Sequence, residues 1–243
     1  MKAKLVSYSQ PDKDTVFTEW TPNDLIAYAA RVSNPSNQNN RDTSEKLLRY
    51  LIKHKHWSPF EMASACLEIN TTRDIARQIL RHRSFSFQEF SQRYANPVDE
   101  LEFDFREARL QDTKNRQNSI EIEDAELQRQ WTNRQEEVAL AAKYAYDWAI
   151  EQGIAKEQAR KVLPEGLTKT RLYMNGTLRS WVHYIELRGA NGTQKEHMEI
   201  AELCKRHFVC QFPTVSEALG WCEGECDCPE RDDHCYQSAL LIP

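Results

Sequence analysis

The chain reads as an α+β protein: a helix-rich single domain with a small mixed sheet. Three observations predict it. Apolar residues recur at helical spacing through most of the 243 residues. Two short stretches, Lys2 to Ser9 and Ala63 to Asn70, instead have the character of strands. No internal repeat or low-complexity tract interrupts the pattern. At roughly 150 residues per domain the length suits one domain or two small ones; a single domain is taken over residues 1–213, followed by a Cys-rich tail over 214–243.

Lys2 to Ser9 opens as a strand. Thr21-Pro22-Asn23-Asp24 then combines a capping Thr, Pro at the first helical position and an acid three residues after the cap, starting a helix through Leu25, Ile26 and Ala29. A polar loop from Asn34 to Asn40 precedes a helix through Leu47, Leu48 and Leu51. In the second strand Ala65, Leu67 and Ile69 share one face. Thr71 or Thr72 caps the next helix, with Ile75, Ile79 and Leu80 as its apolar stripe. After a loop around Asn96-Pro97, a long helix is expected from about Ser119 to Gln152, with Gly153 as its stop. Leu178, Trp181, Val182 and Ile185 mark a further helix. Thr193-x-x-Glu196 reads as a capping box opening a helix through Met198, Ile200, Leu203 and Phe208. The tail after Pro213 is expected to be irregular.

Composition narrows the function. Hydrophobic residues at 40% and aromatics at 10% are enough for a core. No apolar run approaches the roughly 18 residues of a membrane span, and the N-terminus has no signal-like apolar region. The net charge of -5 supplies no global attraction to nucleic acid or anionic lipid, so an anionic ligand needs a local cluster of cations. Seven cysteines without framework spacing suit reduced thiols in a cytoplasm. Neither G-x-G-x-x-G nor G-x-x-x-x-G-K-[ST] occurs, against a Rossmann or P-loop site.

The densest chemistry lies between Arg73 and Tyr94. On a helix Arg73, Arg77 and Arg81 fall at successive i,i+4 positions, and Arg83 and Arg93 add two guanidiniums. Asp74 and Glu89 neutralise only part of that charge, and the planar guanidinium fork suits phosphate. His82, between two arginines, is expected to stay neutral. From Ser84 to Ser91, hydroxyls interleave with Phe85, Phe87 and Phe90, which suits a planar, phosphorylated ligand such as a base or a flavin ring.

These residues carry a family resemblance. Arg81-His82-Arg83, seven residues, then Ser91-Gln92-Arg93 resemble the RHR-x7-S-x-R signature of the flavin-dependent thymidylate synthases. His56-x-Ser58-Pro59-Phe60-Glu61 resembles the family's upstream block. Ala159-Arg160-x-Val162-Leu163-Pro164, and Leu178-Arg179-Ser180-Trp181 through Leu187-Arg188, resemble two later blocks. The resemblance spans about Val16 to Pro213. It implies a homotetramer with active sites where subunits meet, FAD as cofactor, and reductive methylation of dUMP to dTMP. Methylenetetrahydrofolate would be the carbon donor and NADPH the reductant. It also implies a cytoplasmic enzyme of small-molecule substrates, with no nucleic acid or membrane as partner.

By position, the resemblance makes Ser58, Arg81, His82, Arg83, Glu89, Thr177, Leu178, Arg179 and His183 flavin contacts. For dUMP it implies Gln78, Ile79, Leu80, Arg81, Glu89, Phe90, Ser91, Gln92, Arg93 and Arg160. Arg188 matches the arginine that acts on the ionised pyrimidine, where a fixed positive charge raises electron density at C5. Thr177 stands where the family usually has Asn, and His183 where some members have Asn. His54, His197 and His207 have no motif support and read as structural or exposed. Trp20, Trp131, Trp148 and Trp221 read as core or interface, and Cys66 and Cys204 as buried and inert.

Two other readings compete with this one. A non-catalytic nucleotide or RNA binder would use the same segment for stacking, but the net charge is acidic and no RNA module is visible. A cysteine-class thymidylate synthase needs a nucleophile in a Pro-Cys-His setting, and Cys210 has no adjacent His. In the tail, Cys222, Cys226, Cys228, His234 and Cys235 are enough ligands for zinc, but their spacing is no paired-CxxC knuckle, and no metal is assigned.

Overall fold

The computed structural model describes residues 1–12, 17 and 19–222. Four strands form the main sheet: β1 (Lys2–Tyr8), β2 (Ser64–Thr72), β3 (Phe85–Glu89) and β6 (Lys169–Thr177), in the order β1-β2-β6-β3. Ser9 N–H donates to the Ser64 carbonyl at 2.8 Å, joining the end of β1 to the start of β2. Leu178 N–H reaches the Ala63 carbonyl at 2.9 Å, and Arg171 Nε reaches Asn70 Oδ1 at 3.0 Å, so β6 runs antiparallel to β2. The sheet is antiparallel rather than mixed. A separate antiparallel pair joins β4 (Arg109–Gln111) to β5 (Ser119–Glu121).

Nine α-helices lie among the described residues: α1 (Pro22–Ala30), α2 (Ser44–Lys53), α3 (Arg73–Ile79), α4 (Pro97–Leu101), α5 (Ala125–Glu151), α6 (Lys156–Ala159), α7 (Leu178–Arg188), α8 (Lys195–Gln211) and α9 (Pro213–Ala218). Packing divides the chain into two compact units built from interleaved segments. The first comprises Met1–Ala3, Glu68–Met174 and Glu186–Ala201, and the second Lys4–Leu67, Asn175–Ile185 and Glu202–Pro243.

In the second unit the cap expected at Thr21 is present in full. The Thr21 hydroxyl accepts from Asp24 N–H while Asp24 accepts from Thr21 N–H, so the first turn of α1 satisfies two of its own donors. Ile26 and Ala27 of α1 and Leu48 of α2 are fully buried. Trp181 of α7 is also fully buried, and its indole N–H donates to the Ala65 carbonyl at 2.9 Å, which gives the ring a polar partner inside the core.

In the first unit the strip Val98, Tyr146, Ala149 and Ala159 seats α5 against α4 and α6. Gly153 takes φ 75, the left-handed conformation that ends a helix and that glycine adopts without a Cβ penalty.

Several elements differ from the sequence reading. β6 was not expected, although Thr170, Leu172, Met174 and Gly176 are buried in alternation; its polar residues mask the apolar period. The long helix starts at Ala125, because Asp124 caps it and Ser119–Glu121 is spent in β5. Asn96 accepts from Val98 N–H and starts α4 where a loop was expected. Lys195 begins α8, and the Glu196 side chain turns to Gln194 and Arg109 instead of closing a box on Thr193. Thr214, Val215 and Ser216 of α9 are buried, so packing continues past Pro213. Cys226, Cys228, His234 and Cys235 lie outside the described residues, and the described ones contain no cluster of metal-ligating side chains.

Trp181→Phe keeps an aromatic core residue but strands the Ala65 carbonyl and leaves a void. We expect it to lower unfolding free energy by about 2–3 kcal/mol in a denaturant titration.

Candidate functional site

The first unit assembles the signature segment. α3 ends at Ile79, so Arg73 and Arg77 share a helix while Arg81, His82 and Arg83 occupy the turn into β3; Arg81 is not on the helical edge expected of it. The interleaved run after Ser84 becomes β3, whose alternation buries Phe85 and turns Ser86 and Gln88 outward. Phe90 N–H donates to the Arg171 carbonyl at 2.8 Å, which ties the exit of β3 to β6. A turn then follows in which Tyr94 N–H and Ala95 N–H both return to the Ser91 carbonyl.

The arginines divide by partner. Arg73 pairs with Glu89 at 3.2 Å, and Arg77 with Glu165 at 3.0 Å and Glu89 at 3.7 Å. Thr170 also donates to Glu89, which fixes that carboxylate between strand and helix. Burial pulls Arg73 below its ordinary value, with the charges of Arg77 and Arg160 adding to the effect and Glu89 opposing it. Arg93 reaches Glu157 at 3.6 Å with both side chains largely in solvent, a weak pair that an anion displaces at little cost. Arg81 and Arg83 are exposed and form no ion pair among the described residues. Asp74 does not serve this cluster: it forms a bidentate pair with Arg106 at 2.9 and 3.0 Å.

Behind the turn, Arg188 Nε–H donates to His82 Nε2 at 2.8 Å. A ring nitrogen that accepts is unprotonated, so this imidazole is neutral. Burial, and then the Arg188 charge, hold its pKa down at about 4. The His82 ring meets His197 edge-on at 6.3 Å. His197 is fully buried, and burial followed by Arg188 and His82 pushes it down to about 3. Sequence reasoning passed over His197, because a histidine inside a helical run carries no motif.

Not every expected contact offers a side chain. Ile79 is fully buried in the core and Gln92 is nearly so, its amide nitrogen having no partner among the described residues. Leu80 and Phe90 are half-buried, and Ser91, Arg160 and Gln78 are partly open.

The second unit holds the other expected flavin contacts. A 3-10 turn, Ser58–Met62, is anchored by the fully buried Phe60 and leaves Ser58 and Glu61 exposed. Glu61 pairs with Arg179, and Trp57 meets His183 edge-to-face at 5.4 Å. The Thr177 hydroxyl accepts from Ser180 N–H at 3.3 Å and so caps α7. Leu178 is buried, and its backbone N–H is taken by the Ala63 carbonyl. Within this unit the exposed Ser58, the Thr177 hydroxyl and the His183 edge are polar and aromatic groups of the kind a flavin ring uses, and within the first unit the guanidiniums of Arg81 and Arg83 are of the kind a pyrophosphate uses.

Comparison with known proteins shows the family. Residues 15–214 match the family described as thymidylate synthase complementing protein. The chain is 51% identical over 221 residues to a probable flavin-dependent thymidylate synthase of Paramecium bursaria Chlorella virus 1. It is 47% identical over 221 residues to a flavin-dependent thymidylate synthase of Synechocystis sp.. Each alignment covers 91% of this chain and 100% of the relative. In fold it is similar to the UMP/dUMP methylase PolB of Streptomyces cacaoi, solved with 5-Br dUMP, with a TM-score of 0.73 at 24% identity, covering 90% of this chain and 94% of that one. With the signature turn, the neutral His82 and the unpaired arginines in place, the chain belongs to the thymidylate synthase complementing protein family, that of the flavin-dependent thymidylate synthases.

Proposed function

We propose that this protein is an FAD-dependent thymidylate synthase, converting dUMP to dTMP with methylenetetrahydrofolate as carbon donor and NADPH as reductant. The observation that carries this reading is the Arg188–His82 pair. The neutral His82 holds the Arg188 Nε without cancelling the guanidinium charge. Both Nη groups lack a partner among the described residues, which leaves a rigid cationic fork for an anionic pyrimidine. Such a charge stabilises ionised N3 and raises electron density at C5, the carbon that attacks the methylene. Arg93 and Arg160 hold the nucleotide phosphate, with Ser91 positioning it. Ser58, Arg81, His82, Arg83, Glu89, Arg179 and His183 hold FAD, which when bound supplies the reducing hydride.

No thiol is needed. Burial raises Cys66 and Cys204 away from the thiolate form. Cys66 and Cys204 form no disulfide among the described residues, which supports a reducing, cytoplasmic setting. No helix among the described residues is long and apolar enough to cross a membrane.

We further propose a homotetramer with active sites where subunits meet. The support is α5, whose buried stripe of Gln135, Ala139, Ala142, Tyr146 and Ala149 leaves a second apolar stripe in solvent. Trp131, Val138 and Trp148 on that stripe are 44%, 50% and 52% exposed, at positions that repeat with coiled-coil spacing.

The purified protein is expected to be yellow, to release FAD on denaturation and to form dTMP from dUMP, methylenetetrahydrofolate and NADPH. A colourless protein that forms no dTMP when supplied with FAD overturns the reading. Arg188→Lys keeps charge but loses the fork, so it should load FAD normally and turn over at least about a hundredfold more slowly, the scale of losing one oriented electrostatic stabiliser. Near wild-type turnover would remove Arg188 from the chemistry. By light scattering the wild type should have four times the 28.5 kDa chain mass, and Val138→Glu with Trp148→Glu should lower it. A monomeric wild type would refute the assembly.

A further inference from the structure

We propose that His197 is a positioning residue that holds the Gln78 carboxamide in a single orientation, so that the nucleotide site has one hydrogen-bonding face. The inference rests on the function proposed above and on Gln78 contacting the nucleotide, as the family resemblance implies. It comes from a directional chain of side chains within the first unit. His197 Nδ1 lies 3.3 Å from Gln78 Oε1, Gln78 Nε2 donates to Gln194 Oε1 at 2.7 Å, and Gln194 Nε2 donates to Glu196 Oε2 at 2.8 Å. Glu196 is 4% exposed and pairs with Arg109, with Arg106 at 3.9 Å.

The chain has only one polarity. A carboxylate accepts and cannot donate, so Gln194 must turn its NH2 toward Glu196 and its oxygen toward Gln78. Gln78 must then answer with its NH2, which leaves its oxygen facing His197. An oxygen there requires a ring N–H, so His197 must be the tautomer protonated at Nδ1. A neutral ring satisfies this, and burial beside Arg188 and His82 keeps it neutral. Without that donor the Gln78 oxygen is left unpartnered in a half-closed site, and the amide is free to turn over. The second N–H of Gln78 and the second lone pair of its oxygen would then no longer be presented at fixed places.

The charged groups around the relay act on it consistently. Arg188 and His82 face His197, and both disfavour its protonation. Arg109 and Arg106 hold Glu196 as the terminal acceptor, and Asp74 balances Arg106. Thr72 at the start of α3 also accepts from Arg106, which couples the helix bearing Gln78 to the same carboxylate.

The test is a calorimetric titration of the FAD-loaded protein with dUMP, with thermal melts as a check on folding. His197→Leu fills the space but cannot donate, whereas His197→Asn places an amide N–H near the position of Nδ1. Positioning predicts dUMP binding weakened about five- to thirtyfold in His197→Leu, the effect of losing one oriented hydrogen bond, and largely restored in His197→Asn. A space-filling role predicts the opposite order, because leucine suits a dry core better than asparagine. In a Gln78→Ala background His197→Leu should have no further effect on dUMP affinity. Unchanged affinity in His197→Leu, or an undiminished effect without Gln78, overturns the inference. Should neither variant fold, nitrogen-15 NMR of histidine-labelled wild type decides: an Nδ1–H tautomer at His197 supports it, and an Nε2–H tautomer or an imidazolium overturns it. Wild type that binds no dUMP would instead refute the proposed function.

Discussion

The Glu196 carboxylate governs the interior of the first unit. Buried almost completely, it needs a cation, and Arg109 from β4 supplies one, with Arg106 close by. Arg106 in turn makes a bidentate pair with Asp74 and reaches Thr72 at the start of α3. One buried charge thereby binds the start of α8, the small β4–β5 pair and the helix that carries Gln78. Losing a single partner from such a set leaves a charge uncompensated, which makes the network unforgiving and the local geometry unique.

Electrostatics also explains how an acidic chain gathers a local cluster of cations. Net charge is -5, yet the turn after α3 gathers arginines faster than carboxylates can answer them. Glu89 and Glu165 take up Arg73 and Arg77. Arg81 and Arg83 are left in solvent without carboxylates among the described residues, where water bears the cost of their charge until a ligand replaces it. His82 adds no charge to this crowd, since burial and Arg188 keep it neutral. A charged His82 in place of the acceptor would repel Arg188 and release its fork.

The second unit solves a different problem with ordinary parts. Phe60 and Trp181 are fully buried and fix the 3-10 turn and α7, and the exposed Ser58, Glu61, Arg179 and His183 follow from those anchors. Rigid core residues thus aim polar ones, and a site built on capped helix starts and short turns loses little entropy when it binds. On α5 the balance differs, with alanines packed inward and tryptophans outward. Alanine permits close approach of a neighbouring element, whereas the outward tryptophans leave apolar surface in solvent.

The sequence by itself determined the signature blocks, the strand at Lys2, the capped start of α1, the alternation of Ala65, Leu67 and Ile69, and the stop at Gly153, because each is written in a few neighbouring residues whose local physics is decisive. A neutral His82 was also expected from its two flanking arginines, but it is burial and the distant Arg188 that keep it so. Only the tertiary structure took Arg81 off the helix, gave Asp74 to Arg106, and made Lys169–Thr177 a strand whose polar residues hide its period. His197 belongs to this second group. Its partner Gln78 lies 119 residues away, and a hydrogen bond of that span has no trace in sequence spacing. Burial, partner and tautomer are properties of the folded neighbourhood, decided where distant segments meet rather than where they are written.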